Sequence, residues 1–269
     1  MLYYKAPLRD MRFVRDELLG FPALFASLPG CSEFTPDLLD AVLGEAAKFC
    51  EEVVAPLYRS GDEEGCTWTP EGVRTPKGFR EAYAQYVEGG WAALSSPAEY
   101  GGQGLPPSMN LFVEDMLGTA NWAWAMYPGL SHGATRTIKA HGTEEQKHTY
   151  LPKLVSGEWT GTMCLTEAHA GSDLGMLRTR AEPHADGSYR ITGTKIFISA
   201  GEHDMAENIV HIVLARLPDA PPGTKGISLF LVPKKLPQAD GSLAPNSVSC
   251  GSIEHKMGIN ASATCVMNF

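Results

Sequence analysis

Met163-Cys-Leu-Thr-Glu-Ala-His-Ala-Gly-Ser-Asp173 is the stretch on which the reading of this chain turns. The run from Thr160 to Leu165 has the length and composition of a strand and delivers the chain into Thr166-Glu167. A turn of small residues, Ala170-Gly171-Ser172-Asp173, follows. That order presents strand backbone groups and a threonine hydroxyl to a flat ligand. Glycine lets backbone N–H groups and Ser172 approach phosphate oxygens closely. Spacing alone fits equally a strand, a turn and a Ser/Asp pair that satisfy one another.

The chain changes character just upstream of this stretch, near residue 158. Before it, apolar residues recur with helical spacing. Leu38, Leu39, Val42, Leu43, Ala46, Phe49, Cys50, Val53 and Val54 share a face of a helix opened by Thr35 and Pro36. Thr75-Pro76 repeats that opening for a helix through Tyr83 and Val87, closed by Gly89-Gly90. Ser108 is a candidate cap for a segment through Leu111, Phe112 and Met116, and a second apolar stretch runs from Asn121 to His141. Thr143-Glu-Glu-Gln146 has the form of a capping box.

After residue 158 the pieces are short and strand-like: 160–165, 177–181, 188–191, 195–199, 209–214, 227–232 and 264–269. Asp186-Gly187 and Thr192-Gly193 supply turns between them. The expected class is α+β. An extension over 1–34 leads to a helical domain over 35–158, followed by a barrel- or sandwich-like β-domain over 159–269. The end at Asn268-Phe269, inside a strand-like run, reads as a truncation that leaves this β-domain incomplete.

Composition narrows the function classes. The chain has 269 residues, 43% hydrophobic and 20% charged, with a formal charge of −9. These values suit a globular chain of about two domains. No run of Lys and Arg supplies the basic face that nucleic acid requires. No apolar run approaches the ~20 residues of a membrane span, and the first ten residues lack the pattern of a secretory signal. The expectation is a cytoplasmic protein without nucleic-acid partners. Six cysteines, at 31, 50, 66, 164, 250 and 265, form no Cys-x-x-Cys pair and read as free thiols, and the histidines show no metal-ligand spacing, so no metal site is expected.

The common nucleotide cradles fail. Gly102-x-Gly104 is followed by proline at 107 rather than glycine, and no Gly-Lys-Ser/Thr loop exists. Ala170 precedes Gly171-Ser172, so the Gly-x-Ser-x-Gly elbow of a hydrolase is absent.

Set together, five segments resemble the acyl-CoA dehydrogenase family. Thr166-Glu167-x-x-Ala170-Gly171-Ser172-Asp173, after Cys164-Leu165, is similar to its central motif, and Gly193-Thr-Lys-Ile-Phe-Ile-Ser199-Ala-Gly201 looks like its second flavin-contacting strand. Glu99-Tyr-Gly-Gly-Gln-Gly-Leu105, Gly142-Thr-Glu-Glu-Gln-Lys147 with Tyr150-Leu-Pro-Lys-Leu154, and Glu254-His-Lys-Met-Gly258 with Ser262-x-Thr264 fall in the family's order. The N-terminal Tyr4–Phe13 segment and Ser131-His-Gly133 are closest to the extended subgroup that includes 3-methylmercaptopropionyl-CoA dehydrogenase. Departures are Ala168-His169 where many members carry proline, Met176 after the Gly-Ser-Asp turn, and Ile259-Asn-Ala261 where many carry arginine.

The resemblance implies FAD as cofactor and α,β-dehydrogenation of an acyl-CoA thioester, short-chain or methylthio-acyl. It implies that Met163, Leu165 and Thr166 meet the pyrimidine side of the flavin, through backbone groups and the Thr166 hydroxyl. Gly171 and Ser172 then lie at the pyrophosphate, with Ser172 also near the acyl-CoA. Phe197 packs against the flavin and Ser199 contacts its ring or pyrophosphate region. Without the neighbouring motif, Phe197 reads as a core aromatic on a strand. The family's base is a glutamate on a C-terminal helical bundle, which lies beyond residue 269, so no catalytic residue is assigned within this chain. Glu114, Asp115 and Glu167 are read as solvated or hydrogen-bonded carboxylates. Trp122, Trp124, Met126 and Tyr127 suit either an acyl pocket or helix packing. An electron-transfer flavoprotein or similar acceptor and a homo-oligomeric full-length enzyme are implied as partners. An acyl-CoA oxidase of the same fold and a non-catalytic fragment are the competing expectations.

Overall fold

In the computed structural model, which describes residues 3–269, two short helices, α1 (Leu8–Arg12) and α2 (Phe21–Ser27), precede the first long one. That helix, α3 (Pro36–Phe49), starts where Thr35 places it, because the Thr35 hydroxyl accepts a bond from Leu38 N at 3.3 Å. A π-helical turn, Cys50–Val54, carries the chain into α4 (Leu57–Glu64). A small hairpin of β1 (Thr67–Thr69) and β2 (Gly72–Arg74) then interrupts the helices. Sequence periodicity does not reveal it, since three-residue strands are too short to show alternation.

Thr75-Pro76 does not open a helix. Thr75 donates from both its amide and its hydroxyl to Asp204 Oδ1, at 3.1 and 2.7 Å, so its side chain is turned to a long-range partner rather than to the amides of a first helical turn. The helix α5 (Phe79–Glu88) begins after Gly78, which sits at φ 89°. Nor does Ser108 cap anything: α6 (Pro107–His141) starts one residue earlier behind Pro106. With Pro106 at the N-cap position and Pro107 opening the helix, Ser108 falls inside the first turn rather than ahead of it.

The 35 residues of α6 are not one rod. Asn121 has φ −162° and ψ 90°, far from helical values. His132 Nδ1 lies 2.9 Å from Glu114 Oε1, whereas 18 residues of straight helix at ~1.5 Å each would separate them by about 27 Å. The chain therefore folds back at Asn121, and the two arms lie side by side. The second arm carries Trp124 into a cluster with Phe49, Tyr83 and Tyr86, its ring 5.5 Å from that of Tyr86 and its indole N–H donating to Phe79 O at 3.3 Å. Helix α7 (Glu144–Ser156) follows, opened by the Thr143/Gln146 capping box with both reciprocal bonds present.

Strand β3 (Trp159–Cys164) begins the sheet half, which continues through β4 (Arg180–Pro183), β5 (Tyr189–Thr192), β6 (Thr194–Ser199), β7 (Asn208–Arg216), β8 (Ile227–Pro233), β9 (Lys235–Pro237), β10 (Leu243–Pro245), β11 (Ser249–Ile253) and β12 (Thr264–Asn268). One sheet runs β3-β7-β4-β5, with β8 also on β7; a second runs β11-β12-β6; β9 and β10 form a hairpin. β3 and β7 are parallel, and β7 is buried along nearly its whole length, as expected of a strand covered on both faces. The expected class, helices followed by a sheet-rich half, matches this order.

The halves are riveted together at several points. Tyr127, fully buried, donates to Ala261 O and accepts from Ala263 N at 3.1 and 2.9 Å. Gly161 N donates to Ser131 Oγ at 3.0 Å, and a Cβ on Gly161 would sit 2.4 Å from the Ala134 methyl. Glycine there lets the second arm of α6 press directly on β3.

Candidate functional site

Two of the segments singled out from sequence meet across the gap between the sheets. The Thr162 hydroxyl donates to Ser199 O at 2.6 Å, and Ile196 N donates to Thr166 O at 2.9 Å. β3 and its continuation thus lie against β6, although neither strand pairs with the other in a sheet. These bonds use the backbone oxygens of Thr166 and Ser199, not their hydroxyls.

The outward face carries large apolar side chains. Phe197 is 58% exposed and Met163 40% exposed. Leu165, Thr166 and Ser199 are half-buried, and Gly171 and Ser172 are exposed. The core reading of Phe197 is therefore corrected, and the cause is local. β6 pairs with β12 as Cys265↔Ile198 and then Met267↔Lys195, so the register slips opposite Ile196-Phe197. Phe197 occupies this bulge at φ 58°. A bulge residue in the left-handed region is usually glycine, and a side chain there costs about 1–2 kcal/mol. The bulge breaks the two-residue alternation, burying Lys195 and Ile198 while turning Phe197 outward.

Behind the wall is a buried ion pair that sequence reading did not find. Lys195 has no exposure at all, and its ammonium donates to Glu167 Oε1 at 2.9 Å and to Leu165 O at 3.0 Å. Glu167 also accepts from the Thr179 hydroxyl (2.6 Å), Thr179 N (2.9 Å) and Arg178 N (2.8 Å). Burial pushes the Glu167 carboxyl up, but these donors outweigh it and hold it down to about 2. Burial pushes the Lys195 ammonium below its ordinary range, opposed by Glu167. The pair stays ionised because its members answer one another. Its signal in the sequence was a lysine directly ahead of the apolar run Ile196-Phe197-Ile198.

At the turn, backbone bonds between Glu167 and Ala170 at 2.9 and 3.0 Å close the loop before Gly171. A Cβ on Gly171 would make only an ordinary 3.6 Å contact with the Thr166 methyl, so packing within the fold does not demand glycine there.

The remaining candidates fall elsewhere. Trp124 and Tyr127 are fully buried core residues, whereas Trp122 is 56% exposed. Glu114 accepts from Asn110 Nδ2 and bonds His132, whose interaction lowers its carboxyl from the usual range. The six cysteines are all free thiols, four of them buried. A groove of about 990 Å³ lies between the end of α6 and strands β5 and β8, away from the wall. The wall is an open surface rather than a closed cavity.

Residues 37–158 match the acyl-CoA dehydrogenase N-terminal domain, and residues 162–269 match the acyl-CoA dehydrogenase middle domain. The chain belongs to the acyl-CoA dehydrogenase family. Over 267 residues it is 46% identical to the 3-methylmercaptopropionyl-CoA dehydrogenase of Ruegeria pomeroyi, which covers 99% of this chain and 45% of that protein. The chain thus spans a little under half the length of such relatives. Among solved structures, an acyl-CoA dehydrogenase from Geobacillus kaustophilus superposes with a TM-score of 0.71 at 27% identity, over 88% of this chain and 56% of the other. An acyl-CoA dehydrogenase from Bacillus anthracis, solved as a complex with FAD, gives 0.68 at 25% identity, over 88% and 36%. Acyl-CoA dehydrogenases are FAD-using oxidoreductases, and this chain carries their N-terminal and middle domains. Among the described residues, no helix is long and apolar enough to cross a membrane.

Proposed function

We propose that the wall formed by Met163–Thr166, Gly171-Ser172 and Phe197–Ser199 is one side of an FAD site, and that the whole protein dehydrogenates an acyl-CoA thioester at its α and β carbons. The observation that carries the reading is the pairing of Thr166 with Ile196 by a 2.9 Å bond, beside two large apolar side chains turned outward. A fold seldom spends a strained backbone to expose a phenylalanine unless something flat covers it.

The residues fit that cofactor. Met163 and Phe197 offer apolar faces to a ring system. Leu165 and Thr166 offer strand-edge groups for its polar rim. Gly171 and Ser172 lie exposed where a phosphate can approach bare backbone and a hydroxyl, and the backbone near Ser172 also suits the acyl-CoA. Bound FAD supplies the acceptor for the hydride lost from the acyl β-carbon. The protein's part is to hold that ring rigidly and to leave one of its faces open to the thioester.

The α-proton needs a base, and residues 1–269 are assigned none. Glu167 is fully engaged behind the wall, and Glu114 is committed to His132 and Asn110. The substrate class is a short-chain or methylthio-acyl thioester, supported by the 46% identity to the Ruegeria enzyme named for such a substrate. An electron-transfer flavoprotein or similar acceptor, and self-association of the whole protein, complete the reading.

Titration of the purified chain with FAD tests it. Flavin fluorescence should be quenched, and Thr166→Ala and Ser172→Ala should each weaken binding. Acyl-CoA-dependent dye reduction is expected only once a base is supplied by further polypeptide. Unquenched flavin, or dye reduction by residues 1–269 alone, would overturn the corresponding half of the proposal.

A further inference from the structure

Packing alone does not require a lysine inside β6. A methionine would fill the same volume without the cost of burying an ammonium. Lys195 is nonetheless fully buried and spends its donors on two acceptors in one stretch, Leu165 O and Glu167 Oε1. The Leu165 carbonyl belongs to the peptide that joins Leu165 to Thr166. The Leu165–Thr166 peptide is trans, and in a trans peptide the C=O and the following N–H point in opposite directions. A Leu165 carbonyl drawn inward to Lys195 therefore turns the Thr166 N–H toward the outer face of the wall.

We propose that Lys195, anchored by Glu167, is a positioning residue that orients the Leu165–Thr166 peptide so that the Thr166 N–H is presented to the flavin. The inference rests on the FAD reading above and goes beyond it, since neither Lys195 nor Glu167 touches the outer face. Glu167 supplies the anchor. Its carboxylate is fixed by three donors from Arg178 and Thr179, and its backbone closes the turn with Ala170. One ion pair thereby ties three stretches together: the turn at 165–170, the loop at 178–179, and the strand entering the Phe197 bulge. Hydrogen bonds to the ring need this orientation before the ligand arrives, because a mobile peptide would lose entropy on binding.

The test separates orientation from stability with three variants of the chain: Lys195→Met, the double variant Glu167→Gln/Lys195→Met, and Lys234→Met. Lys195→Met alone leaves an unpaired buried carboxylate and should lose much of its thermal stability. The double variant removes both charges, so its flavin-free Tm should recover most of that loss. Losing a well-placed hydrogen bond should still leave its FAD affinity at least about tenfold weaker than wild type. Its visible flavin absorption band should be altered, and the Ile196 amide, bonded to Thr166 O, should exchange faster than in wild type. Lys234→Met breaks a less buried pair with Glu202 (2.5 Å) elsewhere in the sheet half. It should lower Tm while leaving FAD affinity within about twofold. A double variant with wild-type affinity, flavin band and Ile196 exchange overturns the role of Lys195 and leaves the FAD reading standing. A wild-type chain that does not bind FAD overturns that reading and this inference together.

Discussion

The helical half and the flavin-facing wall solve opposite problems with opposite residues. In the helical half a cluster of large aromatic rings is sealed away. Trp124, Tyr86, Tyr127 and Phe79 are essentially unexposed, and the Trp124 and Tyr127 polar atoms reach backbone partners. At the wall a phenylalanine and a methionine face outward, while a lysine and a glutamate are buried behind them. The first arrangement follows ordinary burial and maximises stability. The second inverts it, and such inversions mark surfaces shaped for something other than folding. Apolar surface left uncovered and charge taken inside both lower stability, and both make sense if a ligand completes the wall.

The largest effect that would sharpen this contrast is expected at Trp124. Trp124→Ala should lower unfolding free energy by about 3–5 kcal/mol, because it empties the centre of the aromatic cluster. Denaturant unfolding measures it. A loss below about 1 kcal/mol would mean that the helical half is not the stability-bearing region.

The next effect, at most of similar size when both histidines are counted, should appear on acidification, and it should arise in the sheet half. His203 and His211 are buried, and burial lowers both from the ordinary 6.5 to about 3, with Lys234 acting in the same direction. His211 Nε2 has no partner, so nothing rewards its protonation. Between about pH 6.5 and 3 the unfolded chain binds protons that the folded chain refuses. Stability is therefore complete above 6.5 and falls as pH drops, by on the order of 2 kcal/mol per histidine at pH 5. Glu167, held down to about 2 from its ordinary 4.5, adds a further loss only below about 4.5. Urea unfolding at pH 7 and pH 5 checks the first window, and His211→Gln should remove about half of the difference. A pH-independent midpoint between those values would show that both rings reach water.

The smallest expected effect is the one that most directly tests the inversion. Phe197→Gly relieves a side chain held at φ 58° and removes a ring that packs little within the chain. Stability should stay unchanged or rise by up to about 1 kcal/mol, while FAD affinity falls. A loss above about 2 kcal/mol would place the ring in the core after all.

Much of the fold was legible in the residues, because the signals concerned were local. The Thr35-Pro36 opening and the Thr143/Gln146 box depend on groups within one helical turn, and both appear as read. Thr75 failed as a cap because its side chain is turned to Asp204, 129 residues away. The fold-back at Asn121 was invisible as a contact for the same reason. The order of the family's motifs was enough to place the chain among acyl-CoA dehydrogenases, and the paired segments it pointed to do come together.

The sequence by itself determined the helix starts at Thr35 and Thr143, the change from helical to strand periodicity, and the family, since each is carried by residue types at fixed short spacings. Only the tertiary structure decided which way Phe197 faces and what Lys195 does. Both depend on a register slip between β6 and β12, strands about 70 residues apart in the chain, and on a carboxylate that reaches β6 through space. A strand's alternation predicts its faces only while its pairing is regular.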